Sequence, residues 1–74
     1  MPKLKRLSAK KVVQKLIKVG FVAVHQRGSH LYLKNAKGKM VTIPMHGNKD
    51  IPIGTLHNIV LKQAGLSADE FNKL

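Results

Sequence analysis

The sequence predicts an α+β fold: helices on one face of a three-stranded antiparallel sheet, in the order α-β-β-β-α, then a short C-terminal helical turn. Three observations carry this. Residues 8–20 form a capped amphipathic segment, residues 21–44 switch to an extended pattern broken by two turn signals, and helical periodicity returns after Pro52.

The first helix is expected from the Ser8 cap through about residue 19. A serine oxygen there can accept from the first unpaired backbone N–H groups. Val12, Val13, Leu16 and Ile17 fall on one side, and Lys11, Lys15 and Lys18 recur at helical spacing on another. Gly20 suits the left-handed residue that ends a helix, and Phe21 can fold back as its hydrophobic contact. Residues 21–26 are β-branched and extended in character. Gly28-Ser29 reads as a tight turn. Residues 30–34 alternate with period two, Leu31 and Leu33 on one face and His30, Tyr32 and Lys34 on the other. Residues 35–38 form a hairpin loop, and residues 39–44 a third strand ended by Pro44. After a loop at 46–50, a second helix is expected over residues 53–64, with Leu56, Ile59 and Val60 inward and Gly65 as its stop. Ser67 and Glu70 have the spacing of a capping box for a last short helix, whose Phe71 and Leu74 can pack down.

At 74 residues the chain has room for one domain, expected to span residues 1–74. Hydrophobic residues make up 43% of it, too many for a disordered basic tail. Fourteen Lys and Arg against three Asp and Glu give a formal net charge of +11. Self-repulsion of that size points to a polyanionic partner: nucleic acid first, then an acidic protein or an anionic membrane surface. The positive residues are spread along the chain, which favours a charged folded surface over an arm. The absence of cysteine excludes disulfides, thiolate metal sites and thiol nucleophiles. The N-terminal stretch is basic but lacks the apolar run of a signal peptide, and nothing approaches the roughly 20 apolar residues that span a bilayer. A cytoplasmic protein without membrane contact is expected.

With Asp50, Asp69 and Glu70 the only acids, and the last two occupied at a helix start, no carboxylate cluster supports a two-metal nuclease or a glycosidase. No P-loop, dinucleotide glycine pattern or HExxH is present, and neither metal nor cofactor is expected. The acid–base groups that remain are His25, His30, His46, His57 and Tyr32. RNA carries its own nucleophile, the 2′-hydroxyl, so strand cleavage needs a proton acceptor, a proton donor and cations for the phosphate. Histidine and Lys or Arg meet those needs, although many RNA-binding proteins contain the same inventory.

His30 is the best placed of these groups. It opens a strand directly after Gly28-Ser29, where a tight turn exposes backbone N–H groups; Arg27 is adjacent and Tyr32 shares its face. Those amides and Arg27 could hold a phosphate beside the imidazole. On spacing alone, a plain surface histidine after a turn is the favoured reading. His46 could supply a second acid–base group if its loop folds near His30; on the residues alone, a solvated loop histidine is the favoured reading. His25 is a sheet-surface residue or a nucleic-acid contact, and His57 belongs to a solvated helix face. The Lys11, Lys15, Lys18 stripe fits RNA phosphates and an ordinary exposed helix face equally well. Lys34, Lys37 and Lys39 extend the positive surface around the hairpin.

At Gly20-Phe21, Gln26-Arg27-Gly28-Ser29-His30, Thr42-Ile43-Pro44-Met45-His46, Gly54-Thr55-Leu56 through Ile59, and Gln63-Ala64-Gly65-Leu66, the chain resembles the HicA family, in order over nearly its whole length. The resemblance implies a toxin of a type II toxin–antitoxin pair with a double-stranded-RNA-binding-domain-like fold. It also implies ribosome-independent cleavage of single-stranded mRNA and neutralisation by a HicB-type antitoxin. It assigns the catalytic histidine to His30, with Gly28 and Ser29 completing the motif, and places a second site histidine at His46. Many members carry a basic residue where this chain has Met45. The expected phosphate and RNA contacts are Arg27, Gly28, Ser29, Tyr32 and Lys34, and the free toxin is expected to be a monomer. Two other readings stand beside it: a non-catalytic double-stranded-RNA-binding module of the same fold, and a protein-interaction domain whose surface serves an acidic antitoxin.

Overall fold

The computed structural model describes residues 3–47 and 49–74. Met1 and Pro2 of the basic N-terminal stretch, and Asn48 of the loop expected at 46–50, lie outside the described residues. The elements are α1 (Ala9–Lys18), β1 (Val22–Arg27), β2 (His30–Lys34), β3 (Met40–Pro44), α2 (Ile53–His57), which runs on as a π-helical segment (Asn58–Gln63), and α3 (Ala68–Asn72). The sheet is antiparallel in the order β1-β2-β3. This is the predicted α-β-β-β-α arrangement, with its final helical turn.

The local signals act as their chemistry requires. Ser8 caps α1, its Oγ accepting from the Lys11 amide at 3.3 Å. At the other end the Phe21 amide donates to the Leu16 carbonyl and the Gly20 amide to that of Ile17, closing the helix as a Schellman motif that folds Phe21 into the core. The buried stripe of α1 is Ala9, Val12 and Leu16. Ile17 departs from expectation at 51% exposed, because it stands one position round from that stripe. Ser67 and Glu70 form the reciprocal capping box of α3. The Ser67 backbone N–H, and after it the Ser67 side chain, hold the Glu70 carboxyl below its ordinary range. This support for α3 is complete above the free-carboxyl range and is lost as pH falls through the lowered value.

The second helix differs from the single α-helix expected over 53–64. Ala64 donates to the carbonyl of Ile59, five residues back, so the turn is widened. The burial pattern gives the reason. Leu56, Ile59, Val60 and Ala64 are all buried, whereas in an α-helix Ala64 would stand about 140° round from Ile59. Widening keeps both in the core.

Leu33, Val41 and Ile43 supply the inner face of the sheet, and Val12, Leu16, Leu56, Ile59 and Val60 cover it. Leu4 and Phe71 close the core from the two ends of the chain. Lys15 donates to the Phe71 carbonyl at 3.3 Å and sits 5.0 Å from its ring centroid, fastening α3 to α1. That contact takes Lys15 out of the free lysine stripe expected on α1.

Phe71 is 1% exposed, and in so short a chain its burial is a large share of the core. Phe71→Ala is expected to cost about 3–5 kcal/mol in urea unfolding. A loss below about 1 kcal/mol would show that α3 stands outside the cooperative unit.

Candidate active site on the outer sheet face

The strand register decides which side chains share the uncovered face. Arg27 pairs with His30 and His30 with Pro44; His25 pairs with Tyr32 and Tyr32 with Thr42; Val22 pairs with Lys34 and Lys34 with Met40. A β-bulge between Ala23 and His25 makes Val24 the extra residue of β1 and sets His25 opposite Tyr32. Alternation then gives Gln26, Leu31 and Ile43, and Ala23, Leu33 and Val41, to the inner face. The helices cover that inner face at Leu33, Val41 and Ile43, while β1 is exposed along its length, and the three outer rows are free of any helix across β1 and β2.

Gly28 opens the hairpin with φ +60°, the left-handed conformation that a type II′ turn needs at its first central position. The turn is not loose. The Met45 amide donates to the Ser29 carbonyl at 2.6 Å, carrying the β2–β3 ladder one step past Pro44. This bond holds the chain leaving β3 against the Gly28-Ser29 turn, so the residue after Met45, His46, emerges beside His30. Both imidazoles are exposed.

His30 and His46 line one open cleft of about 350 Å³. Thr42 and Pro44 form its sheet wall, and Thr55, Asn58 and Gln63 its helical wall. The β3 edge is closed there by a side chain. Gln63 accepts from the Thr42 amide through Oε1 at 2.8 Å, satisfying a part-buried edge-strand N–H that has no strand partner. Thr42, Thr55, Asn58 and Gln63 received no site role from the sequence. Their hydroxyl and amide groups became part of the site because the π-helical segment brings Gln63 to the strand edge.

The expected site residues are divided as follows. The structure brings His30, Arg27, Gly28 and Ser29 together at one hairpin, sets Tyr32 and Lys34 along the same face, and gathers His46 to the cleft. His25 joins that face with its ring centroid 5.7 Å from that of Tyr32. His57 is exposed on α2, beside Lys3, Leu4 and Leu61, away from this cleft. Lys11 and Lys18 lie on α1, across the sheet. Among the described residues the side-chain ion pair joins Lys73 to Asp69 at 3.1 Å, so the cations of the outer face have no carboxylate partner. Among those residues, too, no three His, Asp or Glu side chains gather as metal ligands, and no helix is long and apolar enough to cross a membrane.

The fold and cleft define a small cationic α+β domain that presents two histidines to solvent. The sequence model of the family described as HicA toxin of bacterial toxin-antitoxin matches residues 9–66. The chain belongs to that family, and is thus a toxin of a toxin–antitoxin system, whose counterpart is an antitoxin. No curated protein matches it in sequence.

Gln63→Leu keeps the bulk of the side chain and leaves the Thr42 amide unpaired. It is expected to cost about 1–3 kcal/mol and to speed hydrogen exchange at Thr42. Unchanged exchange at that amide would show that Gln63 does not seal the edge.

Proposed function

We propose that this toxin is a metal-independent, ribosome-independent endoribonuclease that cleaves mRNA at the His30 cleft, as one HicA-like domain spanning residues 1–74. The observation that supports it most is the convergence of His30 and His46 on one open cleft beside the Gly28-Ser29 turn. In the reaction, a ribose 2′-hydroxyl attacks the adjacent phosphorus. Its proton passes to one imidazole, and the bond to the 5′-oxygen breaks as a proton reaches that oxygen from an imidazolium. The products are a 2′,3′-cyclic phosphate and a 5′-hydroxyl, with no oxidant, metal or water consumed in this step. His30 acts as general acid–base, and His46 is the group available for the second transfer. Arg27, Lys34 and the turn amides of Gly28 and Ser29 steady the phosphate, with Tyr32 contacting the strand.

The net charge of +11 and the unpaired cations on this face support RNA as the ligand. The cytoplasm, where mRNA is translated, is then the place of action. A HicB-type antitoxin would neutralise the toxin by shielding that positive charge or blocking His30, and the free toxin would be a monomer.

Purified protein incubated with single-stranded RNA in chelator is expected to cut it, and His30→Ala to lower the rate by about 10²–10⁴-fold. A variant that cuts as well as the parent would remove His30 from the mechanism, and complete dependence on added metal would refute the metal-free scheme. RNA left intact by a protein that still binds A-form duplex would identify a non-catalytic reader of the same fold.

Binding of uncleavable single-stranded RNA should weaken with salt along a log–log slope of about −0.7 per neutralised phosphate. Arg27→Ala and Lys34→Ala should each reduce that slope by about one phosphate's worth. A slope unchanged in both variants would place the phosphates elsewhere on the surface.

A further inference from the structure

The middle row of the outer face carries chemistry that cleavage does not use. His25 on β1 and Tyr32 on β2 are register partners whose rings lie 5.7 Å apart at an interplanar angle of 37°. Together they make a broad aromatic surface on a sheet face without a helix. No buried group needs them: the core is aliphatic and phenylalanine, and its aromatic members, Phe21 and Phe71, lie within the molecule. The bulge at Val24 is what sets His25 opposite Tyr32. Arg27 flanks the pair on one side in the His30 row, and Lys34 flanks it on the other. Two residues along a strand separate adjacent rows by about 7 Å.

We propose that His25 and Tyr32 form a stacking pad for an unpaired nucleobase of the bound RNA strand, one row away from His30. The proposal rests on the reading of the chain as an RNA-binding toxin, and is independent of the catalytic role of His30. Each base has a π-face, so stacking on aromatic side chains tolerates sequence but requires a base free of its helix. Arg27 and Lys34 then hold phosphates on either side of the stacked nucleotide. The consequence is a preference for single strands at the nucleotide next to the cleaved bond. A base paired in A-form duplex has both faces occupied by its neighbours and cannot reach the pad. Val22 and Met40, 58% and 51% exposed in the Lys34 row, extend it with apolar surface.

The chain has one tyrosine and no tryptophan, so the Tyr32 ring protons form an isolated NMR reporter. The probe is a short 2′-O-methyl oligoribonucleotide, which lacks the free hydroxyl needed for cleavage. An abasic strand with the same number of phosphates serves as control. Titration with the base-bearing strand is expected to move the Tyr32 ring protons upfield, and the abasic strand to leave them in place. Tyr32→Ala should weaken binding of the base-bearing strand by about 5- to 100-fold, whereas Tyr32→Phe should stay within about threefold of the parent. His25→Ala changes an exposed side chain, so it tests the pad without endangering the core; it too should weaken the base-bearing strand and leave the abasic one unaffected.

Equal affinity for the two strands, or unmoved ring protons while the Gly28 and Ser29 amides shift, would overturn the pad in favour of phosphate contact alone, leaving the nuclease reading intact. Ring protons that shift in a protein unable to cut RNA would support the pad and sink the nuclease reading. Binding of neither strand at low salt would overturn the pad and leave this face to a protein partner.

Discussion

The helices bury one face of the sheet, at Leu33, Val41 and Ile43, and leave the other face of β1 and β2 uncovered. The two principal helices cover Leu33, Val41 and Ile43, and α3 packs onto the π-helical segment. Everything chemically interesting follows from that asymmetry. The inner face holds the fold together by removing apolar area from water. The outer face, relieved of any structural duty over β1 and β2, displays Arg27, His25, His30, Tyr32 and Lys34 in a fixed register.

That register is protected at its weak points by polar groups rather than by additional core. A three-stranded sheet has two open edges, and each invites slippage or pairing with another chain. On β3 the part-buried Thr42 amide is occupied by Gln63, and the Met45 amide extends the ladder to Ser29. Both bonds lie at the His30 cleft, so the interactions that secure the edge also fix the walls around the histidines. The β1 edge is managed differently. It is exposed throughout, and its bulge increases local twist, which disfavours a flat partner strand.

Much of this was legible in the sequence because its determinants are local. Ser8, Gly20, Gly28, Ser67 and Glu70 each act within a few residues of themselves, and alternation over residues 30–34 sets the faces of β2 whatever surrounds it. The π-helical segment was not legible. It arises because Ile59 and Ala64 must both be buried in the core, a tertiary demand that overrides helical periodicity, and with it the position of Gln63 was hidden. The β1 bulge was hidden for the same reason: nothing local to Ala23-Val24-His25 says which residue will be the extra one until β2 is alongside. Lys15 looked like one of three equivalent lysines until α3 folded back and placed Phe71 beneath it.

Charge and exposure act together on the outer face. Cations left without carboxylate partners repel one another, which costs the free protein stability. The same absence means that no internal ion pair must be broken before a phosphate binds. On the proposed reading, an RNA strand and an acidic antitoxin surface relieve the same repulsion at the same place, so each lowers the affinity of the other by simple occupancy. Neutralisation then needs no conformational change in the toxin. A partner that covers the His30 row and its flanking cations is sufficient, because the proposed acid–base groups and phosphate contacts lie on that face and its cleft.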